Sequence, residues 1–435
     1  MRLRLLAPAL AALALAALAL APLLAAQPAP PLDARTKRDA AAALQRELRD
    51  RYVFPDVGEK AAARIAERLG AGAYDAAQTP VDFAQLITDD LRAVAHDKHL
   101  GVDFHPPGGA PPSFGDPDIA AQLRLDNFGF TKVEHLGGNV GYLKLDMFAD
   151  PSMAGDTAAA AMRFLSNSDA VIVDLRDNGG GKPDMVVLLS SYFFDRPTHL
   201  NDIYHRAGNT TRQFWTLPVV EGKRMPDVPL YILTSARTFS AAEGFSDHLQ
   251  ALHRATIVGE VTGGGANPGE SVPLGGGFYA FIPNGRAINP ITNSNWEGVG
   301  VKPDLAVPAD AALDAAYERA LTALAAKTTD ARRKGALDWA IEGLRLKASH
   351  YTPPAGALAQ YAGAYGPRSV TLKDGALWYA RDGAPKRRLI PLAPDVFAIE
   401  GIDRVRLRFE REGAAVAKIV GSYDNGTTDE SRRSG

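Results

Sequence analysis

Four short segments carry residues suited to acyl-transfer chemistry. In Val171-Ile172-Val173-Asp174-Leu175-Arg176-Asp177-Asn178-Gly179-Gly180-Gly181, an apolar run ends in three glycines before a helix start near Pro183. Glycines let backbone approach a ligand closely, and free N–H groups beside a helix start favour negative charge, as an oxyanion hole requires. A phosphate loop would need a Gly-Lys-Ser/Thr or GxGxxG pattern, which this segment lacks; a tight structural turn is the plainer alternative. In Thr234-Ser235-Ala236-Arg237-Thr238-Phe239-Ser240-Ala241-Ala242-Glu243, a strand pattern passes through a polar turn into a helix that Ser240 opens. Serine there is ordinarily an N-cap. It is also where a nucleophile would have the next amide, on Ala241, aimed at a developing oxyanion. No Gly-x-Ser-x-Gly elbow surrounds it, so the α/β-hydrolase signature is absent.

The third segment is Asp97-Lys98-His99-Leu100, in which His99 is either a structural histidine or a general base. His96, Asp97 and His99 make no metal site by themselves, because helical spacing breaks down in a loop and no second cluster completes a shell. No metal or other cofactor is expected. The fourth, Asn295-Trp296-Glu297-Gly298-Val299-Gly300-Val301-Lys302-Pro303-Asp304, holds Glu297, either a solvated turn residue or a carboxylate that orients a base.

The framework that must position these residues changes character along the chain. Residues 33–97 read as helices: Asp33 caps one, Thr79-Pro80 opens another, and Phe83, Leu86, Ile87, Leu91 and Val94 form one apolar stripe. A Pro/Gly-rich stretch from Pro106 to Pro117 reads as a surface loop or a lid. From Val140 onward strands and helices alternate: strands at 140–145, 170–175, 230–234 and 255–261, helices at 157–165, 184–194 and 240–252. Continuous apolar strands separated by helices predict a mostly parallel sheet, hence an α/β core. Residues 311–350 are again helical. After that come six short strand patterns punctuated by Asp374-Gly375, Asp382-Gly383, Glu412-Gly413 and Asn425-Gly426, an antiparallel meander.

Composition narrows the function classes. The 435 residues suffice for two or three domains, with 46% apolar and 23% charged residues as in a folded globular chain. The 48 basic and 50 acidic residues nearly cancel, so no global field favours nucleic acid or an anionic membrane. There is no cysteine, which excludes disulfides, Cys-based metal sites and a thiol nucleophile. At the N-terminus, Arg2 and Arg4 precede an apolar run to Ala26 and then Gln27-Pro28, the pattern of a secretory signal peptide. An uncleaved membrane anchor is the alternative; either way an exported, periplasmic or secreted, body is expected.

In order, these segments resemble the S41 serine peptidases: C-terminal processing peptidases, the tricorn core protease and interphotoreceptor retinoid-binding protein modules. The resemblance rests on Asp-Leu-Arg-x-Asn-x-Gly-Gly at 174–181, Thr-Phe-Ser-Ala-Ala-Glu at 238–243, Gly259-Glu260-x-Thr262-x-Gly264 and Gly-Val-x-Pro-Asp at 300–304, and spans residues 33–325. It implies a ClpP/crotonase-like α/β core with an N-terminal helical bundle and the C-terminal antiparallel β domain. It also implies Ser240 as nucleophile, with the Gly180 and Ala241 amides as oxyanion donors. The processing branch takes a lysine base from a Gly-Glu-x-Thr-x-Gly-Lys-Gly segment; here Gly265 stands in the lysine's place. The tricorn-like branch uses an N-terminal histidine and a glutamate before Gly-Val-x-Pro-Asp, matched by His99 and Glu297. Lys98 departs from that branch's serine and is expected to point to solvent. Only about 40 residues separate His99 from Val140, too few for a PDZ domain.

The expected organisation is a signal peptide over 1–26, a helical domain over 28–105, the peptidase core over 106–350 and a small β domain over 353–435. The expected substrate is a peptide or unfolded protein segment, with no nucleic acid partner and no membrane contact beyond an N-terminal anchor; oligomer formation stays open. The same fold also carries non-catalytic binders of retinoid-like apolar ligands. An esterase would use the same serine chemistry.

Overall fold

The computed structural model describes residues 32–434 apart from 107, 108, 110 and 112–115. The signal segment expected over 1–26 lies outside the described residues. Among these residues, no helix is long and apolar enough to cross a membrane. The described residues divide into two compact units, those up to 135 with 141–316, and 136–140 with those from 317 onward.

The first unit begins with α1 (Ala34–Arg51), α2 (Pro55–Gly70) and α3 (Pro80–Ala95). Asp33 caps α1 by accepting from the Thr36 amide at 2.6 Å. Thr79 and Asp82 form a reciprocal capping box at the start of α3, with bonds of 3.1 and 3.0 Å. Phe83, Ile87 and Leu91 of α3 are buried, as their spacing predicts. Helix α3 stops at His96, whose left-handed φ of 53° turns the chain toward Asp97 and His99. Next come β1 (Gly101–Phe104), α4 (Pro117–Leu125), β2 (Phe130–Leu136), β3 (Val140–Leu145), α5 (Pro151–Leu165), β4 (Ala170–Asp174) and α6 (Pro183–Ser191). The unit continues with β5 (His199–His205), β6 (Thr210–Trp215), β7 (Leu230–Thr234), α7 (Ala241–Ala251), β8 (Ala255–Gly259), β9 (Gly269–Gly275), β10 (Phe278–Pro283), β11 (Gly285–Ile288) and β12 (Leu305–Ala306).

A six-stranded sheet in the order β12-β8-β7-β4-β3-β2 forms the α/β core, and its β12, β8, β7 and β4 pair in parallel. Both β4 and β7 are buried along their whole length, which explains their continuous apolar sequence. Met162 and Leu165 of α5, Met185 and Leu189 of α6, and Phe245 and Leu249 of α7 share one core with Val171, Val173, Ile232 and Ile257. Each such side chain contributes about 1.5–3 kcal/mol on burial. Helices α1 to α3 do not close on themselves: Leu44, Leu48, Ile65 and Phe83 share their core with Val272, Leu274, Phe278 and Ile282 of β9 and β10. Two three-stranded sheets, β1-β10-β9 and β11-β5-β6, complete the unit.

The second unit contains α9 (Ala331–Ala348), most of α8 (Ala312–Lys327) and an eight-stranded antiparallel meander from Gly363 to Arg432. Neighbours in sequence are neighbours in this sheet, and the Ser434 amide donates to Ala364 O at 2.8 Å, so the last strand's extension reaches the first. The Asp374-Gly375 and Asp382-Gly383 turns have positive φ at both positions, as the primed hairpin turn requires. Six strand patterns are legible in the sequence here; the three-residue first strand and the polar last strand, Thr428–Arg432, are the additional two.

Candidate active site

Parallel pairing sets the site's location. The register places Asp174 beside Leu233 and Thr234 beside Gly259, so the segments leaving β4, β7 and β8 emerge at one edge of the sheet. Open α/β sheets commonly build their sites there. The glycine segment after β4 is tied down on both sides: the Phe148 amide donates to Gly180 O at 2.8 Å, and the Lys182 amide donates to Phe148 O at 2.7 Å. Gly180, at φ 108°, has no room for a side chain, since a Cβ there would lie 2.7 Å from Ser240 Cβ.

Ser240 opens α7 with φ 54° and ψ −119°, a conformation that costs a non-glycine residue about 1–3 kcal/mol. Glu243 holds it there. Its carboxylate accepts from the Ser240 amide at 2.7 Å, the Thr262 hydroxyl at 2.5 Å and the Gly264 and Gly265 amides at 2.6 and 2.9 Å. Burial raises the Glu243 pKa, and these four donors oppose that rise. The Ala241 amide heads the helix, with no helical carbonyl one turn earlier to bond. It lies 3.0 Å from where a Cβ on Gly180 would stand. The Gly180 amide itself donates to Asn178 Oδ1 at 2.8 Å, so that donor is engaged in this state.

The base side is assembled from distant segments. The His99 ring lies beside Phe239 and Phe281, with centroids 4.6 and 5.9 Å away. Burial lowers its pKa, the Asp97 carboxylate 4.0 Å from Nδ1 works against that, and Arg92 lowers it further. Glu297 accepts from the Ala266 amide at 2.5 Å through Oε2. Its Oε1 and the His99 Nδ1 are both buried without a hydrogen-bond partner. One polar atom each from Asp97, His99 and Glu297 lies within 4.8 Å of the others. Burial, then the Asp97 charge, push the Glu297 pKa up to about 7, against the amides of Ala266 and Asn267. No hydrogen bond joins Ser240 to His99 among the described residues; catalytic bonds of this kind are often long before substrate arrives.

Gly265 explains why this site has no room for a lysine from its loop. A Cβ at 265 would lie 2.2 Å from Phe239 Cζ and 2.7 Å from His99 Cε1. Aromatic and imidazole rings occupy the space. Lys98 is exposed but does not simply face solvent: its Nζ donates to Gly263 O at 2.5 Å, bridging the His99 segment to the loop after β8.

The sequence offers no metal shell around His96, Asp97 and His99. The fold brings Glu297, rather than His96, to the other two. The 4.0 Å between His99 Nδ1 and Asp97 Oδ1 exceeds the roughly 3.4 Å between ligands on a tetrahedral zinc, and both Asp97 oxygens already accept hydrogen bonds. The arrangement suits shared protons.

Three contributors escape a motif-by-motif reading. Glu243 is signalled by the Ser-x-x-Glu capping-box spacing from Ser240. Asp97 has only its proximity to His99 as a signal. Trp296 has none: its indole donates to Gly265 O at 2.7 Å and so anchors the residue before Glu297.

A strained serine at a strand-to-helix turn, with the next amide free at the helix start and a half-buried imidazole packed on the preceding Phe239, is an arrangement suited to serine-hydrolase chemistry. Residues 139–307 match the sequence profile of peptidase family S41. Carboxy-terminal processing protease CtpB of Bacillus subtilis is 24% identical over 190 residues, 43% of this chain and 38% of that protein. A carboxyl-terminal-processing protease of Synechocystis is 32% identical over 130 residues, 29% of each chain. The chain thus spans less than two fifths of these relatives' length. Among solved structures, a putative peptidase from Parabacteroides merdae aligns with 66% of this chain and 96% of its own, at 19% identity and TM-score 0.48.

Proposed function

We propose that the protein is an exported serine peptidase of the histidine-using, tricorn-like kind, cleaving peptide bonds through an acyl-enzyme on Ser240. Ser240 Oγ attacks the scissile carbonyl while its proton passes to His99 Nε2. Glu297, within 4.8 Å of the ring, fixes the tautomer and stabilises the imidazolium. The oxyanion is held by the Ala241 amide and by that of Gly180, once the latter leaves Asn178 Oδ1. Collapse expels the amine, which takes the proton from His99, and water then releases the acyl group by the same route.

The observation that carries this reading is that His99 and Glu297 lie with polar atoms within 4.8 Å of one another while His99 Nδ1 and Glu297 Oε1 are both buried and unpartnered. Gly265, closed to any side chain, supports histidine over lysine as base. The relatives are named as processing proteases, which favours peptide or unfolded protein segments as substrates. Export rests on Arg2, Arg4 and the apolar run ending at Ala26.

A fluorophosphonate probe with mass-spectrometric mapping tests the proposal. Modification of Ser240 in the folded protein is expected. No modification, together with unchanged peptide turnover in Ser240→Ala, overturns it. A matched panel of peptides and small esters separates a peptidase from an esterase.

A further inference from the structure

We propose that Asp97 is a second positioning carboxylate for the His99 base, whose fixed charge couples the protonation of His99 to that of Glu297 and so sets the pH at which Ser240 is activated. The inference rests on the Ser240–His99–Glu297 reading above. Asp97 is only 1% exposed. Its Oδ1 accepts from the His99 amide at 2.9 Å, which pins the backbone that carries the imidazole. Its Oδ2 accepts from the Tyr52 hydroxyl at 3.1 Å and from Asn267 Nδ2 at 3.0 Å. Three donors face this carboxylate, the surroundings of an anion rather than of an acid that must donate a proton.

Two carboxylates therefore lie beside one half-buried imidazole, and like charges so close do not ionise independently. The Asp97 charge opposes ionisation of Glu297 and favours the imidazolium of His99. The other groups facing this cluster are Tyr52 from the end of α1, Arg92 of α3, which disfavours the imidazolium, Lys98 on Gly263 O, and Glu243 of α7, which raises Glu297 further. Removing the Asp97 charge lets both His99 and Glu297 lose their protons at lower pH. Removing a donor from Asp97 strengthens its field and has the opposite effect.

The test is the pH profile of fluorophosphonate modification of Ser240, in the full chain and in Asp97→Asn and Tyr52→Phe, alongside the nitrogen-15 shifts of the His99 imidazole. In Asp97→Asn the acid limb and the His99 titration are expected to move down by at least about half a pH unit. In Tyr52→Phe both are expected to move up. A general packing lesion would not reverse sign between the two variants. An unmoved limb and titration in a folded Asp97→Asn protein overturns the proposal. If that variant does not fold, no shift or a downward shift in Tyr52→Phe overturns it. If the wild type is not modified at all, the peptidase reading fails, and the imidazole titration, which needs no turnover, still decides the proton coupling.

Discussion

The proposed nucleophile side of the site is built from backbone, and the proposed base side from largely buried ionisable side chains. Around Ser240 and Gly180 the working groups are amides, fixed by glycines that admit no Cβ and by the carboxylate of Glu243. Around His99 the working groups are an imidazole and two carboxylates that polarise one another, with Glu297 pushed up to about 7. The first kind of order is largely steric, with Glu243 as its one ionisable support. The second is electrostatic, so its competence depends on where protons reside.

Substitutions on the two sides should therefore fail differently. The largest effect is expected for Ser240→Ala, in which covalent modification disappears while the fold persists. His99→Ala and Glu297→Gln should each slow modification and turnover by about 100-fold or more, the usual contribution of a base and its orienter. Gly180→Ala attacks the steric side: a Cβ 2.7 Å from that of Ser240, at φ 108°, should cost about 1–3 kcal/mol of stability in a denaturant melt and lower the rate at every pH alike. The smallest effect separates the sides by pH. Because the folded-state pKa of Glu297 lies above its unfolded value, its stabilisation is full below about 4.5 and is lost as pH rises through about 7. Thermal melts should fall less between pH 5 and 8 in Glu297→Gln than in the wild type, and equal slopes would remove Glu297 from the buried cluster.

How far the sequence reveals this site follows the same division. Strands β4 and β7, their glycine and serine turns, and the meander's Asp-Gly hairpins are legible because local patterning and turn chemistry determine them. His99 and Glu297 are legible only as an ordered set resembling a family, since nothing local says that they meet. Strands β9 and β10 are not apparent, because their Gly-rich, half-exposed pattern becomes a strand only when α1 to α3 cover one face. The Lys98 contact with Gly263 and the closure of the space above Gly265 are likewise tertiary facts. So is the place of Asp97: the sequence puts it two residues from His99, and only the fold adds Tyr52, Asn267 and Glu297 around it.

The central claim is that His99, rather than a lysine, activates Ser240. Its most direct test is the second-order rate constant for fluorophosphonate modification of Ser240, compared at pH 8 between wild type, His99→Ala and Lys98→Ala. The account gives a loss of about 100-fold or more for His99→Ala and a rate within a few-fold of wild type for Lys98→Ala. A His99→Ala protein that reacts at the wild-type rate, or a Lys98→Ala protein that loses the reaction while His99→Ala retains it, would contradict it.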